Sequence, residues 1–119
     1  MNQEKLTATR NYAEVGEAIS HELAAKMVKN FNDSSPNEPF GFNVGRNIID
    51  QILAQPGCAG LRIFKAISEE GNQTLVYAGV DVKGNTIVEY PGVDAEGKLG
   101  KVAALIGDKT ETTILSWFH

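Results

Sequence analysis

The sequence predicts an α+β fold, with two N-terminal helices packed on an antiparallel β-meander of three to five strands, and three observations lead to it. Large apolar residues recur at helical spacing in the first half, at Tyr12, Val15, Ile19, Leu23 and Met27, and again at Val44, Ile48, Ile49, Ile52 and Leu53. The second half turns to short β-branched and aromatic runs, LRIFKAIS, QTLVYAGVDV and TIVEY, broken by glycine turns. A chain of 119 residues, 42% apolar and 22% charged, has the length of one ordinary domain and enough apolar surface to build its core.

Taken in order, residues 1–8 are polar and aperiodic and are expected to form a disordered end, leaving 9–119 as a single α+β domain. Asn11 is a good N-cap and Glu14 follows three residues later, so the first helix is expected to start at Tyr12 and run to about Asn30. Pro36 and Pro39 forbid its continuation. After Phe40-Gly41-Phe42 the second apolar stripe predicts a helix over Asn43 to Gln55. Pro56 disfavours the α region at Gln55, and Gly57 permits a sharp turn.

The β-rich half reads as a hairpin followed by a third strand, with Gly71-Asn72 and Gly84-Asn85 as tight connections. Val76, Ala78 and Val80 alternate with Leu75 and Tyr77, which predicts a central strand covered on both faces, one by the helices and the other by a partner or the C-terminal region. The stretch from Tyr77 to Asn85 is echoed from Tyr90 to Lys98, and the simplest account is two strand ends sharing an Asp-x-x-Gly turn. LGKVAALIG fits strand or short helix equally. TETTILSWFH suits a final strand, at an edge.

Motifs that would carry chemistry fail on inspection. Gly92 to Lys98 has the spacing of a phosphate-binding loop, but Leu99 stands where a magnesium-binding Ser or Thr is required and two carboxylates would face the phosphate. His21-Glu22 opens like a zinc-protease helix, yet Ala25 occupies the second ligand position, so His21 reads as a surface histidine and no metal is expected. The single cysteine, Cys58, has no identifiable base, and the carboxylates at Glu69, Glu70, Asp81, Asp94 and Glu96 lie in predicted turns. No catalytic residue and no cofactor is expected.

With 11 basic against 15 acidic side chains and no basic stripe, nucleic acid is not an expected partner. No apolar run is long enough to cross a membrane, and with no secretory signal and one cysteine a cytoplasmic location is expected.

The helix ending in Gln55, the Gln55-Pro56-Gly57-Cys58 turn and the hairpin closing on Gly79-Val80-Asp81 together resemble a group of small uncharacterised bacterial proteins. The resemblance spans Phe42 to Asn85, and it implies the helix-turn-hairpin arrangement without implying any activity, cofactor or catalytic residue.

The functional expectation is a small non-enzymatic interaction or assembly module that associates with itself or with another protein. The alternative is a small-molecule-binding domain or minor enzyme with a pocket near Cys58, Arg62 and Tyr77. Phe40, Phe42, Trp117 and Phe118 complete the candidate residues as an aromatic surface for a ligand or partner.

Overall fold

The computed structural model describes residues 11–39, 41–93, 95–108 and 110–113, so the disordered end expected over 1–8 lies outside the described residues. Within them the chain is α+β, with two α-helices and antiparallel strands throughout. A 3-10 turn at Tyr12–Glu14 precedes α1 (His21–Ser34), β1 (Gly41–Asn43) and α2 (Arg46–Leu53). Then follow β2 (Gly60–Ile67), β3 (Gln73–Val80), β4 (Glu89–Val93), β5 (Leu99–Ala103) and β6 (Glu111–Thr113).

The first apolar stripe is split between two elements rather than carried by one helix. Asn11 does cap a helical turn, its side chain accepting from Ala13 N–H at 3.0 Å, but the turn ends at Glu14. Gly16 then adopts φ +118°, a backbone state outside the right-handed helix. The helix proper starts at His21, where Ser20 is the cap that accepts from Leu23 N–H at 3.1 Å, and it continues past Asn30 to Ser34. The second helix is shorter than its apolar pattern predicts. Gly41 to Asn43 are drawn into β1, so the helix begins at Arg46 behind Gly45, and it ends at Leu53 ahead of Pro56 and the left-handed Gly57.

Strands β2 and β3 form the expected hairpin, pairing Gly60 with Val80 through Ile67 with Gln73. Ala59 N–H extends the ladder to the Val80 carbonyl at 2.8 Å. The other edge of β3 is used as well. Val80 bridges Thr86, Ile87 N–H donates to the Gly79 carbonyl at 2.9 Å, and Tyr77 exchanges two backbone hydrogen bonds with Gly107. Thus β3 has neighbours along both edges and supplies half of the buried apolar residues among those described, Tyr77, Ala78 and Val80; the others are Ala25 of α1, the fully enclosed Ile52 of α2, and Ile87.

The cover of β3 differs from the expectation in detail. Helix α2 lies against the hairpin, whereas α1 has no comparable contact with any named element. The opposite face of β3 at Val80 is met by the 3-10 turn, since Tyr12 and Val80 line one recess.

Strands β4 and β5 pair as a separate hairpin, from Glu89 opposite Ala103 to Val93 opposite Leu99, which resolves the ambiguous LGKVA as strand. Of the expected TIVEY strand, Thr86 and Ile87 meet β3 through one bridge and one hydrogen bond, and Glu89 and Tyr90 belong to β4. The two echoed segments both turn on a left-handed glycine, Gly84 at φ +93° and Gly97 at φ +82°, as shared turn chemistry requires. Asp94 of the second turn lies outside the described residues. Strand β6 closes on β1 with Thr113 opposite Gly41.

Candidate functional site

Residues Gln55 to Cys58 set the geometry around which the candidates are arranged. Gln55 is buried where α2 ends, its Nε2 donating to the Ile52 carbonyl at 3.1 Å and its Oε1 accepting from Leu105 N–H at 2.5 Å. The turn then carries Cys58 under β3. Its thiol donates to the Gly60 carbonyl at 3.2 Å, and a Cβ built on Gly79 would meet Sγ at 2.9 Å. The sulfur therefore fills the room left by the missing glycine side chain. Its hydrogen-bond partner is a backbone carbonyl rather than a base, which suits a packing group and not an activated nucleophile.

Tyr77 is 3% exposed, with its hydroxyl donating to the Asp108 carbonyl at 2.7 Å and its ring lying over Gly107. Burial, and secondarily the nearby Asp108 carboxylate, pushes its hydroxyl above the usual tyrosine pKa. A phenol so held ties the segment after β5 to the core.

Arg62 sits elsewhere. The β2–β3 register places Arg62 opposite Ala78 and Ile63 opposite Tyr77, so Arg62 and Tyr77 project from opposite faces of the hairpin. The Arg62 guanidinium donates from Nη1 to Thr86 Oγ1 at 2.8 Å and lies 5.7 Å from the centroid of the Tyr12 ring. A cation–π contact at this distance contributes about 0.5–1 kcal/mol. Tyr12 in turn covers Gly84, and Arg62, Tyr12 and Val80 line a recess of about 280 Å³. The structure thus brings Cys58 to Gly79 and Arg62 to Tyr12, and it does not gather Cys58, Arg62 and Tyr77 around one cavity.

A larger groove, of about 430 Å³, opens where the end of α1, β1 and the far end of the β2–β3 hairpin meet. Phe31, Pro39, Phe42 and Ile67 give it a mainly apolar lining, and Glu38 and Lys65 add one charge of each sign. Phe42 is the candidate aromatic that the structure places there. Phe40, Trp117 and Phe118 lie outside the described residues. Phe31 and Ile67 were not singled out by sequence, although Phe31 continues the four-residue spacing of Leu23 and Met27 and could have been read from it.

That spacing marks the second candidate surface. Leu23, Met27 and Phe31 form a stripe on α1 and are 44%, 54% and 45% exposed, and Val15 and Ile19, which precede the helix, are exposed too. The more buried side of α1 is made by Ala24, Ala25, Val28 and Asn32. At roughly 100° per residue these lie about a third of a turn round the helix from the stripe. Two alanines, Val28 and Asn32 thus make the less exposed side, and the three largest apolar residues of the helix stay exposed. Among the described residues no group of three or more His, Cys, Asp or Glu is placed to hold a metal ion, and no helix is long and apolar enough to cross a membrane.

Comparisons with protein-family models, with curated proteins and with solved structures return no match.

Proposed function

We propose that the protein is a non-enzymatic assembly module that associates with a second copy of itself through the outward apolar stripe of α1. The observation that carries this reading is the orientation of the helix: Leu23, Met27 and Phe31 stay exposed while the alanines take the inward side. Solvation of three large apolar side chains in one line costs stability that pairing recovers, at about 25 cal/mol per Å² of apolar surface removed from water. A ridge of residues spaced by four is self-complementary, because two identical helices can interdigitate such ridges at a crossing angle of about −50°. Pairing of the same patch on both copies closes a two-fold dimer.

Polar groups that could have served chemistry are committed to structure, which favours this reading over an enzyme. The Cys58 thiol, the Tyr77 hydroxyl and both ends of the Gln55 amide each satisfy a backbone group.

Native mass spectrometry of the whole chain tests the proposal. A dimer that reverts to monomer in the Leu23→Asp/Met27→Asp variant supports it. A monomeric wild-type chain at high micromolar concentration, or a dimer indifferent to both substitutions, overturns it.

A further inference from the structure

Of the described residues that line the recess beside the 3-10 turn, Arg62 alone is charged, in a chain whose net charge is −4. Its guanidinium is held from two sides: Nη1 donates to Thr86 Oγ1 at 2.8 Å, and the Tyr12 ring centroid lies 5.7 Å away. That ring is itself seated on Gly84, where a Cβ would meet it at 2.7 Å. So fixed, the guanidinium keeps further N–H groups with no acceptor among the described residues, and it carries its charge at any ordinary pH. The nearest carboxylates in sequence do not answer it. Asp81, next to the lining residue Val80, accepts from Lys83 and Asn85 of its own loop, and Glu14 is not part of the lining although Ala13 and Val15 are.

A second donor comes from the edge of β2. Tyr77 exchanges both of its backbone hydrogen bonds with Gly107, and the Gly79 carbonyl accepts from Ile87, so these groups point away from β2. Their partners in the register, Ile63 and Leu61, therefore belong to the pairs of the ladder that exchange no hydrogen bonds, and they turn their N–H and C=O groups off the other edge of the hairpin. Leu61 lines the recess. Its N–H is thus a donor beside Arg62 with no acceptor among the described residues.

We propose that this recess binds a small organic monocarboxylate, its carboxylate on the Arg62 fork and the Leu61 N–H and its apolar body against Val15 and Val80. One guanidinium matches one carboxylate in charge and in its two-pronged shape, whereas a phosphate dianion would keep a charge that nothing in the lining offsets. The recess, of about 280 Å³, lies just below the span of about 300–1,000 Å³ usual for drug-sized ligands, which selects a free small acid over an extended chain. The site goes beyond assembly and uses no residue of the α1 stripe.

Titration of the whole chain with sodium butyrate and sodium benzoate at constant ionic strength tests the proposal, followed by nitrogen–proton NMR at the Leu61 amide and Arg62 Nε–H. Both acids are expected to shift these signals saturably, with Kd of the order of 1 mM, and inorganic phosphate to bind more weakly. Arg62→Lys keeps the charge and loses the fork, so it is expected to weaken binding about tenfold or more. Ala13→Asp approaches the recess from outside the strands, at an exposed position that tolerates it, and its carboxylate is expected to exclude butyrate. N-acetyl-trialanine presents the same group on a peptide and is expected to bind more weakly than butyrate. Four results overturn the proposal: shifts that never saturate, binding indifferent to either substitution, phosphate bound as tightly as the acids, or the peptide bound more tightly than they are. The last would make the recess a docking site for a chain end.

Discussion

Gln55 and Leu105, fifty positions apart in sequence, are joined by a hydrogen bond from the Leu105 backbone N–H to the Gln55 side-chain oxygen at 2.5 Å. The same amide returns a hydrogen bond to the Ile52 carbonyl. One buried side chain thus fixes the end of α2 to the segment that follows β5. Replacement of Gln55 by Leu is expected to leave the Leu105 N–H without this partner and to cost about 1–3 kcal/mol. Urea unfolding of the two proteins measures it, and an unchanged midpoint would show that the link does not hold the fold.

Cys58 and Gly79 are expected to behave as a coupled pair. A methyl group on Gly79 would press on Sγ at 2.9 Å and on Ile87 Cδ1 at 3.3 Å, so Gly79→Ala should destabilise by about 1–3 kcal/mol. Removing the sulfur relieves the closer contact. The double variant Gly79→Ala/Cys58→Ala is therefore expected to be more stable than the sum of the single effects predicts, by about 0.5 kcal/mol or more. A full double-mutant cycle in urea decides it. Additive effects would mean that the thiol has room to move away.

Ile52 is fully enclosed, and Ile52→Asp would place an unpaired charge at the centre of the domain. The variant is expected to lose cooperative unfolding and near-ultraviolet dichroism at neutral pH. Ile52→Val removes one methylene and is expected to remain folded, at a cost of about 0.5–1.5 kcal/mol.

Acid stability should depend in part on the loop after β3. The Asp81 carboxylate accepts backbone N–H groups from Lys83 and Asn85, both at 2.9 Å, and Asn85 Nδ2 at 3.2 Å. The Asn85 N–H is the main cause of a carboxyl pKa below its ordinary value near 3.8, against a smaller opposing effect of desolvation. A folded-state pKa lower than the unfolded one stabilises the fold above the unfolded value, and this contribution is lost as pH falls through the folded value. Asp81→Asn should therefore lose less stability than the wild type as pH drops below about 4. Thermal unfolding at a series of pH values measures the difference, and parallel curves would contradict it.

Much of the core was legible because its signals are local. Leu75 to Val80 alternate, Gly71 and Gly84 mark turns, and Pro56-Gly57 ends a helix, so the hairpin and the stop of α2 follow from short stretches. The start of α1 did not follow, because apolar spacing runs unbroken from Tyr12 to Met27 while the break depends on the backbone of one residue, Gly16. Strand β1 was hidden for another reason. Three residues, Gly41–Asn43, become a strand only because β6, some seventy positions later, pairs with them. The roles of Gln55 and Cys58 were equally out of reach, since each is defined by a partner on a distant element. Spacing correctly identified Leu23 and Met27 as a stripe but could not say whether that stripe faces the core or the solvent.

The direction in which that stripe faces is the central claim, and sedimentation equilibrium over a wide concentration range tests it most directly. The wild-type chain is expected to approach twice its monomer mass, and the Leu23→Asp/Met27→Asp variant to stay at monomer mass with its unfolding midpoint little changed. A wild-type chain that remains monomeric throughout, or a variant that unfolds because Leu23 and Met27 belong to the core, would contradict the account.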